Sequence, residues 1–135
     1  MKTQIGLITI LTDDTPRLVA FYRDLLGFAV KQDLGVYVEF ESPGVRFAVC
    51  THQIMANATG HTSFHQPRSG QAFELAFPCE TPQEVDERYE AMITKGANPI
   101  HAPADMPWGQ RTAFFADPDG NIHELFADLP TTNPE

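Results

Sequence analysis

The sequence predicts an α+β fold: two tandem βαβββ modules forming a curved mixed sheet around a cleft, with the helices on the outer face. Three observations carry this expectation. Two amphipathic stretches open with the same pattern, T-P-x-x-V, at Thr15–Val19 and Thr81–Val85, 66 residues apart in a chain of 135. Each is preceded by one run rich in β-branched and aromatic residues and followed by three more, with turn residues between them. Similarity at one half-length offset fits a duplication, since only two copies fit.

Taken in order, residues 4–12 read as a first strand, "IGLITIL" being its core. Thr15 is placed to cap a helix over 16–26 whose first residue is Pro16. Leu18, Phe21, Tyr22 and Leu25 then recur at i, i+3, i+4 and i+7 on one face, and Gly27 supplies the stop. Strands follow at 28–33, 36–41 and 45–51, punctuated by Gly35 and by Ser42-Pro43-Gly44. The second module repeats the order: strand 72–78, helix 82–95 capped by Thr81 with Val85, Tyr89 and Met92 on its stripe, and strands 98–102, 111–116 and 121–127. In "DPDG", Pro118 fixes one φ and Gly120 accepts a positive one before the last strand. Module one spans about 4–53, module two about 71–129, and a tail covers 130–135. The joining stretch, 54–70, shows no periodicity and reads as a long loop.

A chain of this size buries roughly two thirds of its unfolded surface without staples. Cys50 and Cys79 have no metal-binding spacing and are too few for a disulfide framework, which points to free thiols in the cytoplasm. The apolar run near the N-terminus ends in Asp13 and Asp14 without a small-residue cleavage site, so a strand is preferred to a signal peptide. No apolar stretch reaches the roughly 20 residues that span a bilayer. Asp and Glu outnumber Lys and Arg by 18 to 9, a formal charge of −9. That balance argues against nucleic acid or an anionic membrane as partner and favours cationic small molecules.

"FYRDLLGF" in the first half and "MPWGQRTAFFADPDGNIHELF" in the second closely resemble the vicinal oxygen chelate superfamily, which contains glyoxalase I, extradiol dioxygenases, fosfomycin-resistance enzymes and bleomycin-resistance proteins. The resemblance runs from about Ile5 to Leu129. It implies the fold strongly and the chemistry weakly, because one scaffold carries many functions. Metal-dependent members resembling this sequence take ligands from inward-facing positions on the first and last strands of the two modules. Here those positions hold Leu7, then Ala48 or Cys50, then Ala72 or Phe73, and only the fourth retains a carboxylate, Glu124. Three of four ligand positions are lost, and catalytic zinc needs about three protein ligands, so no metal or other cofactor is expected. A relocated site built from Glu74, Glu124 and His52 is the alternative; His61, His65 and His101 read as solvated.

Strand alternation assigns the remaining cleft residues. With Ile8 and Ile10 under the helices, Leu7, Thr9 and Leu11 face the cleft. By the same count so do Tyr37 and Glu39, then Arg46, Ala48 and Cys50, then Ala72, Glu74 and Ala76. In the last strand Ile122, Glu124 and Phe126 share the concave face by resemblance, and His123 is structural. Trp108 reads either as an aromatic wall, on a flap between Pro107 and Gly109, or as a core plug. Arg111 reads as an anion anchor or as a salt-bridge partner of Asp117 or Asp119. Burial raises the pKa of Glu124 unless Arg46 or Arg111 offsets it, which would make it a possible general base. The expected protein is a cytoplasmic homodimer that binds a small aromatic or cationic molecule in a metal-free cleft, in the manner of bleomycin-type antibiotic-resistance proteins. The alternative is a lyase, isomerase or dioxygenase of the same fold with relocated metal ligands, or a metal-free catalyst using Glu124.

Overall fold

The computed structural model describes residues 2–131, so the expected tail lies outside the described residues from position 132 onward. The chain divides into two compact units, the first ending at Ser69 and the second beginning at Gly70.

In the first unit, strands β1 (Leu7–Thr12), β2 (Val30–Asp33), β3 (Tyr37–Phe40) and β4 (Arg46–Thr51) form a mixed sheet in the order β1-β4-β3-β2. The pair β1–β4 is parallel, and the other pairs are antiparallel. Helix α1 (Thr15–Ala20) runs into a π turn over Phe21–Leu25, marked by the bond from Leu26 N–H to Phe21 C=O, 3.3 Å. Phe21 and Tyr22, adjacent in this turn, are both buried in the core, on the face that the i+3, i+4 spacing from Leu18 assigns them. Tyr22 packs edge-on against Phe47 at 5.2 Å, and Phe47 stacks on Phe40 at 5.3 Å, so aromatic contacts bind this helix to β3 and β4.

The cap of α1 differs from the expectation. Asp14, not Thr15, is the cap residue, its carboxylate accepting from the Arg17 N–H at 3.1 Å. Thr15 is already helical and its hydroxyl is buried without a hydrogen-bond partner. The stretch 54–70 also departs from a loop. Helix α2 (His52–Thr59) starts at Thr51, whose hydroxyl accepts from Ile54 N–H at 3.2 Å, and stops at Gly60 with φ 68°. A short 3-10 turn follows at Thr62–His65. Only Ala56 of α2 is buried, which is why no apolar period announces the helix.

The second unit repeats the topology. Strands β5 (Ala76–Pro78), β6 (Asn98–Asp105), β7 (Gln110–Ala116) and β8 (Ile122–Asp128) are ordered β5-β8-β7-β6, with β5–β8 parallel. Helix α3 (Pro82–Thr94) is capped by Thr81 as expected, the hydroxyl accepting from Glu84 N–H at 3.1 Å. The structural repeat is therefore offset by 67 residues, from Asp14 to Thr81, rather than 66. The difference matters because a one-residue slip exchanges the two faces of a strand. At an offset of 67, Ile10 on the helix side matches Phe77 on the helix side, and Leu7 matches Glu74.

Before β8, Asp117 holds the turn together. Its carboxylate accepts from Asp119 N–H, Asn121 N–H and the Asn121 side-chain amide at 2.9, 2.9 and 2.7 Å, and Gly120 takes φ 84°. No described helix is long and apolar enough to cross a membrane.

The two candidate caps can be separated by urea unfolding. Asp14→Ala is expected to cost about 1 kcal/mol, the usual value of an N-cap side chain. Thr15→Val, which removes only an unpaired hydroxyl, is expected to be near neutral; the reverse order would restore Thr15 as the cap.

Candidate functional site

The ladders of the second unit fix two faces. Toward α3 point Arg111, Ala113, Phe115, His123, Leu125 and Ala127, all paired across β7 and β8. The opposite face carries the row Ala76, Glu124, Phe114 and His101, and beside it Pro78, Phe126, Thr112 and Ala104. Glu124 thus stands in the middle of a sheet, half-buried, with an aromatic ring directly across the ladder.

Its interacting ionisable neighbour is Glu74, a like charge and a side-chain hydrogen-bond partner. Burial first, and the Glu74 charge second, push Glu124 up from the ordinary 4.5 to about 7. Among the described residues no cation opposes that shift. None of the residues that the ladders place on this face is Lys or Arg. One rung away the hydroxyl of Thr112 is buried with no hydrogen-bond partner.

The first unit solves the same problem internally. Glu39 is 3% exposed, yet its carboxylate accepts from Arg46 Nε and Nη2 at 2.9 and 2.7 Å and from the Tyr37 hydroxyl at 2.9 Å. The guanidinium first and the phenol second hold Glu39 down at about 2. Arg46 is consequently spent on Glu39 and does not offset Glu124.

Among the other residues expected in the cleft, Leu7 is exposed, Thr9 and Tyr37 are half-buried, and Ala48 and Cys50 are fully buried within the first unit. Ala72 is exposed ahead of β5. Arg111 is corrected. It lies on the α3 side, where its guanidinium clamps Asp86 of α3 at 2.8 and 3.3 Å and reaches Asp105 at 2.9 Å. Asp117 is already occupied by its own turn, so neither it nor Asp119 forms the expected bridge. Trp108 is no core plug: it is 57% exposed at the tip of the β6–β7 hairpin, its indole N–H donating to Gln110 Oε1 at 3.1 Å. Gln110 is four residues from Phe114 along β7, roughly 14 Å at the rise of a strand, so Trp108 does not flank Glu124 within this sheet. His52 pairs with Asp13 at 2.9 Å in the first unit.

Sequence reasoning missed Phe114 and Thr112, although the alternation in "RTAFFAD" places both on the Glu124 face. It also placed the counterpart of Leu7 at Ala72 or Phe73, two residues or one residue early. With Glu74 there, two positions of the ligand set are acidic and two, Leu7 and Ala48, are donorless. Within the second unit the two carboxyls Glu74 and Glu124 are fewer than the three or so protein ligands that a divalent centre needs, and among the described residues no three His, Cys, Asp or Glu side chains group to hold an ion.

A family model of the glyoxalase/bleomycin resistance protein/dioxygenase superfamily matches residues 4–125. The protein YraH of Bacillus subtilis (strain 168) is 29% identical over 126 residues, 90% of this chain and 96% of that one. A crystal structure of a glyoxalase/bleomycin resistance protein/dioxygenase from Nocardioides superposes with a TM-score of 0.85 at 30% identity, covering 100% of this chain and 89% of that one. The Agrobacterium tumefaciens lactoylglutathione lyase shares the fold, with a TM-score of 0.72 at 24% identity over 94% of this chain and 95% of that one.

Between pH 4.5 and 7 the native protein keeps a proton on Glu124 that the unfolded chain has released, so this group makes stability fall as pH rises through that window. Glu39 acts in the opposite sense, stabilising above about 4.5 and losing that contribution as pH falls toward 2. Glu124→Gln is therefore expected to flatten the decline between pH 4.5 and 7 and to raise the Tm at pH 8. An unchanged slope in a thermal-unfolding series would contradict the assignment.

Proposed function

The chain belongs to the glyoxalase/bleomycin resistance protein/dioxygenase superfamily, and from that premise we propose that it captures a small organic cation, borne on an aromatic frame, without a bound metal. One observation carries this reading: the Glu74–Glu124 pair faces away from α3 with no cation of its own, whereas the buried carboxylate of the first unit has Arg46. A ligand amidinium, guanidinium or ammonium would take the part that Arg46 plays for Glu39. Two N–H donors in one plane match paired carboxylate oxygens bidentately. Phe114 across the ladder and Phe126 along it offer ring faces, a cation–π contribution of about 0.5 to 2 kcal/mol. The net charge of −9 steers cations toward the protein. In this reading the protein works in the cytoplasm as a homodimer of the bleomycin-resistance type, with Cys50 and Cys79 kept as buried thiols.

A catalytic reading has one specific support. A carboxyl held at about 7 is half-ionised near neutrality and suits a general base, so a metal-free proton abstraction by Glu124 from a bound cation is the second candidate.

Thermal shift at pH 8 tests capture. Benzamidinium at 100 times its Kd is expected to stabilise the wild type by about 2.7 kcal/mol. Neutral benzamide, of the same shape, is expected to give no shift, and so is benzamidinium with Glu124→Gln. Equal stabilisation by benzamide, or a stoichiometric zinc, nickel or manganese ion that disappears in Glu124→Ala, would overturn the proposal.

A further inference from the structure

The segment that carries Glu74 is held in an unusual way. Regular pairing between β5 and β8 covers only Ala76–Pro78, so Glu74 precedes the ladder. Two side chains continue the ladder in place of backbone. The Gln71 amide donates from Nε2 to Ile122 C=O at 2.9 Å and accepts at Oε1 from Ile122 N–H at 3.2 Å, the two bonds that a paired strand residue would make. On the other side of β8, the ring of His123 accepts the Leu75 N–H at Nδ1, 3.0 Å. The Leu75 C=O in turn accepts from Glu124 N–H at 3.0 Å. Residues 71–75 are thereby fastened to β8 at Ile122, His123 and Glu124.

The His123 ring is itself fixed. It is buried on the α3 side, edge-on to Phe77 at 5.9 Å and to Phe115 at 6.0 Å. An Nδ1 that accepts leaves the ring proton on Nε2, so one neutral tautomer is selected. An apolar residue of similar size would fill the same space but leave the Leu75 N–H without its acceptor.

We infer that His123 and Gln71 are the positioning residues of the carboxylate pair: by replacing backbone ladder bonds with side-chain bonds, they bring Glu74 against Glu124 on the opposite face of the sheet. The inference rests on the reading that this pair is the site, and it adds the residues that assemble it. Neither His123 nor Gln71 contacts a ligand in this scheme. Their loss frees the arm, and Glu74 withdraws both its charge and its hydrogen bond from Glu124.

The readout is the carboxyl carbon of Glu124, followed by NMR titration in protein labelled with 13C-glutamate, with no ligand added. The wild type is expected to titrate near 7. His123→Phe and Gln71→Ala are expected to lower that midpoint by about 1 pH unit, a tenfold weaker hold on the proton. His123→Asn, whose side-chain oxygen can stand where Nδ1 stands, is expected to keep the wild-type midpoint. An unchanged midpoint in His123→Phe, or an equal fall in His123→Asn, would overturn the inference, since packing alone would then account for the histidine. If the His123 variants do not fold, Gln71→Ala decides by itself, a fall supporting the inference and no change refuting it. A protein that passes this titration yet ignores benzamidinium loses the cation-capture proposal only; a wild-type midpoint in the ordinary carboxylate range defeats the pair from the start.

Discussion

A carboxylate set into the middle of a β-sheet needs either a positive charge or a proton, and the two units of this protein resolve that requirement differently. In the first, Glu39 takes a charge: Arg46 wraps it from the next strand and Tyr37 adds a hydroxyl. In the second, Glu124 has no such partner, and burial with the neighbouring Glu74 charge pushes its pKa up to about 7, so it holds a proton far more readily than a free carboxyl. The topologies are the same and the helices sit on corresponding faces. What differs is a handful of side chains: where the first unit has Arg46 on β4, the second has Ile122 on β8, and where the first has Leu7 on its edge strand, the second has Glu74. The carboxylate of the first unit is paired with a guanidinium, and the carboxyl pair of the second is where we propose that a cation binds.

The same substitutions bear on metal binding. Of the positions that resemblance compares with metal ligands, Glu74 and Glu124 offer oxygen donors and Leu7 and Ala48 offer none. Leu7 and Ala48 contribute packing, and Ala48 is fully buried. In the proposed reading, two neighbouring carboxyls suit an organic cation with several N–H donors better than an ion demanding three or more fixed ligands. The site is also built economically from the sheet itself. Gln71 and His123 extend a three-residue strand so that a carboxyl outside the ladder meets one inside it.

Much of the fold was legible because it rests on period and punctuation. Alternation put Ile10 and Phe47 toward the helices, Thr81 capped α3, and Gly120 marked the turn into β8. What escaped depends on choices between neighbours that a single sequence leaves equivalent. Asp14 and Thr15 are both good caps, and picking the wrong one shifted the repeat by a residue, a slip that obscured the match of Glu74 with Leu7. Helix α2 buries one side chain, so it has caps but no stripe. Arg111 had several acidic partners in reach by sequence, and only the face of β7 shows that Asp86 on α3 is the one clamped, with Asp105 beside it. Glu124 stood out at once as a carboxylate among apolar residues, but part of its raised pKa depends on Glu74, fifty residues earlier and outside any regular strand.

If a cation replaces the proton on Glu124, the exchange must appear in solution. Titration calorimetry of benzamidinium at pH 6.5, run in buffers of different ionisation enthalpy, measures it most directly. The account predicts a binding heat that varies linearly with buffer ionisation enthalpy and a slope corresponding to release of a proton. Binding whose heat is indifferent to the buffer, or the same slope retained in Glu124→Gln, would contradict it.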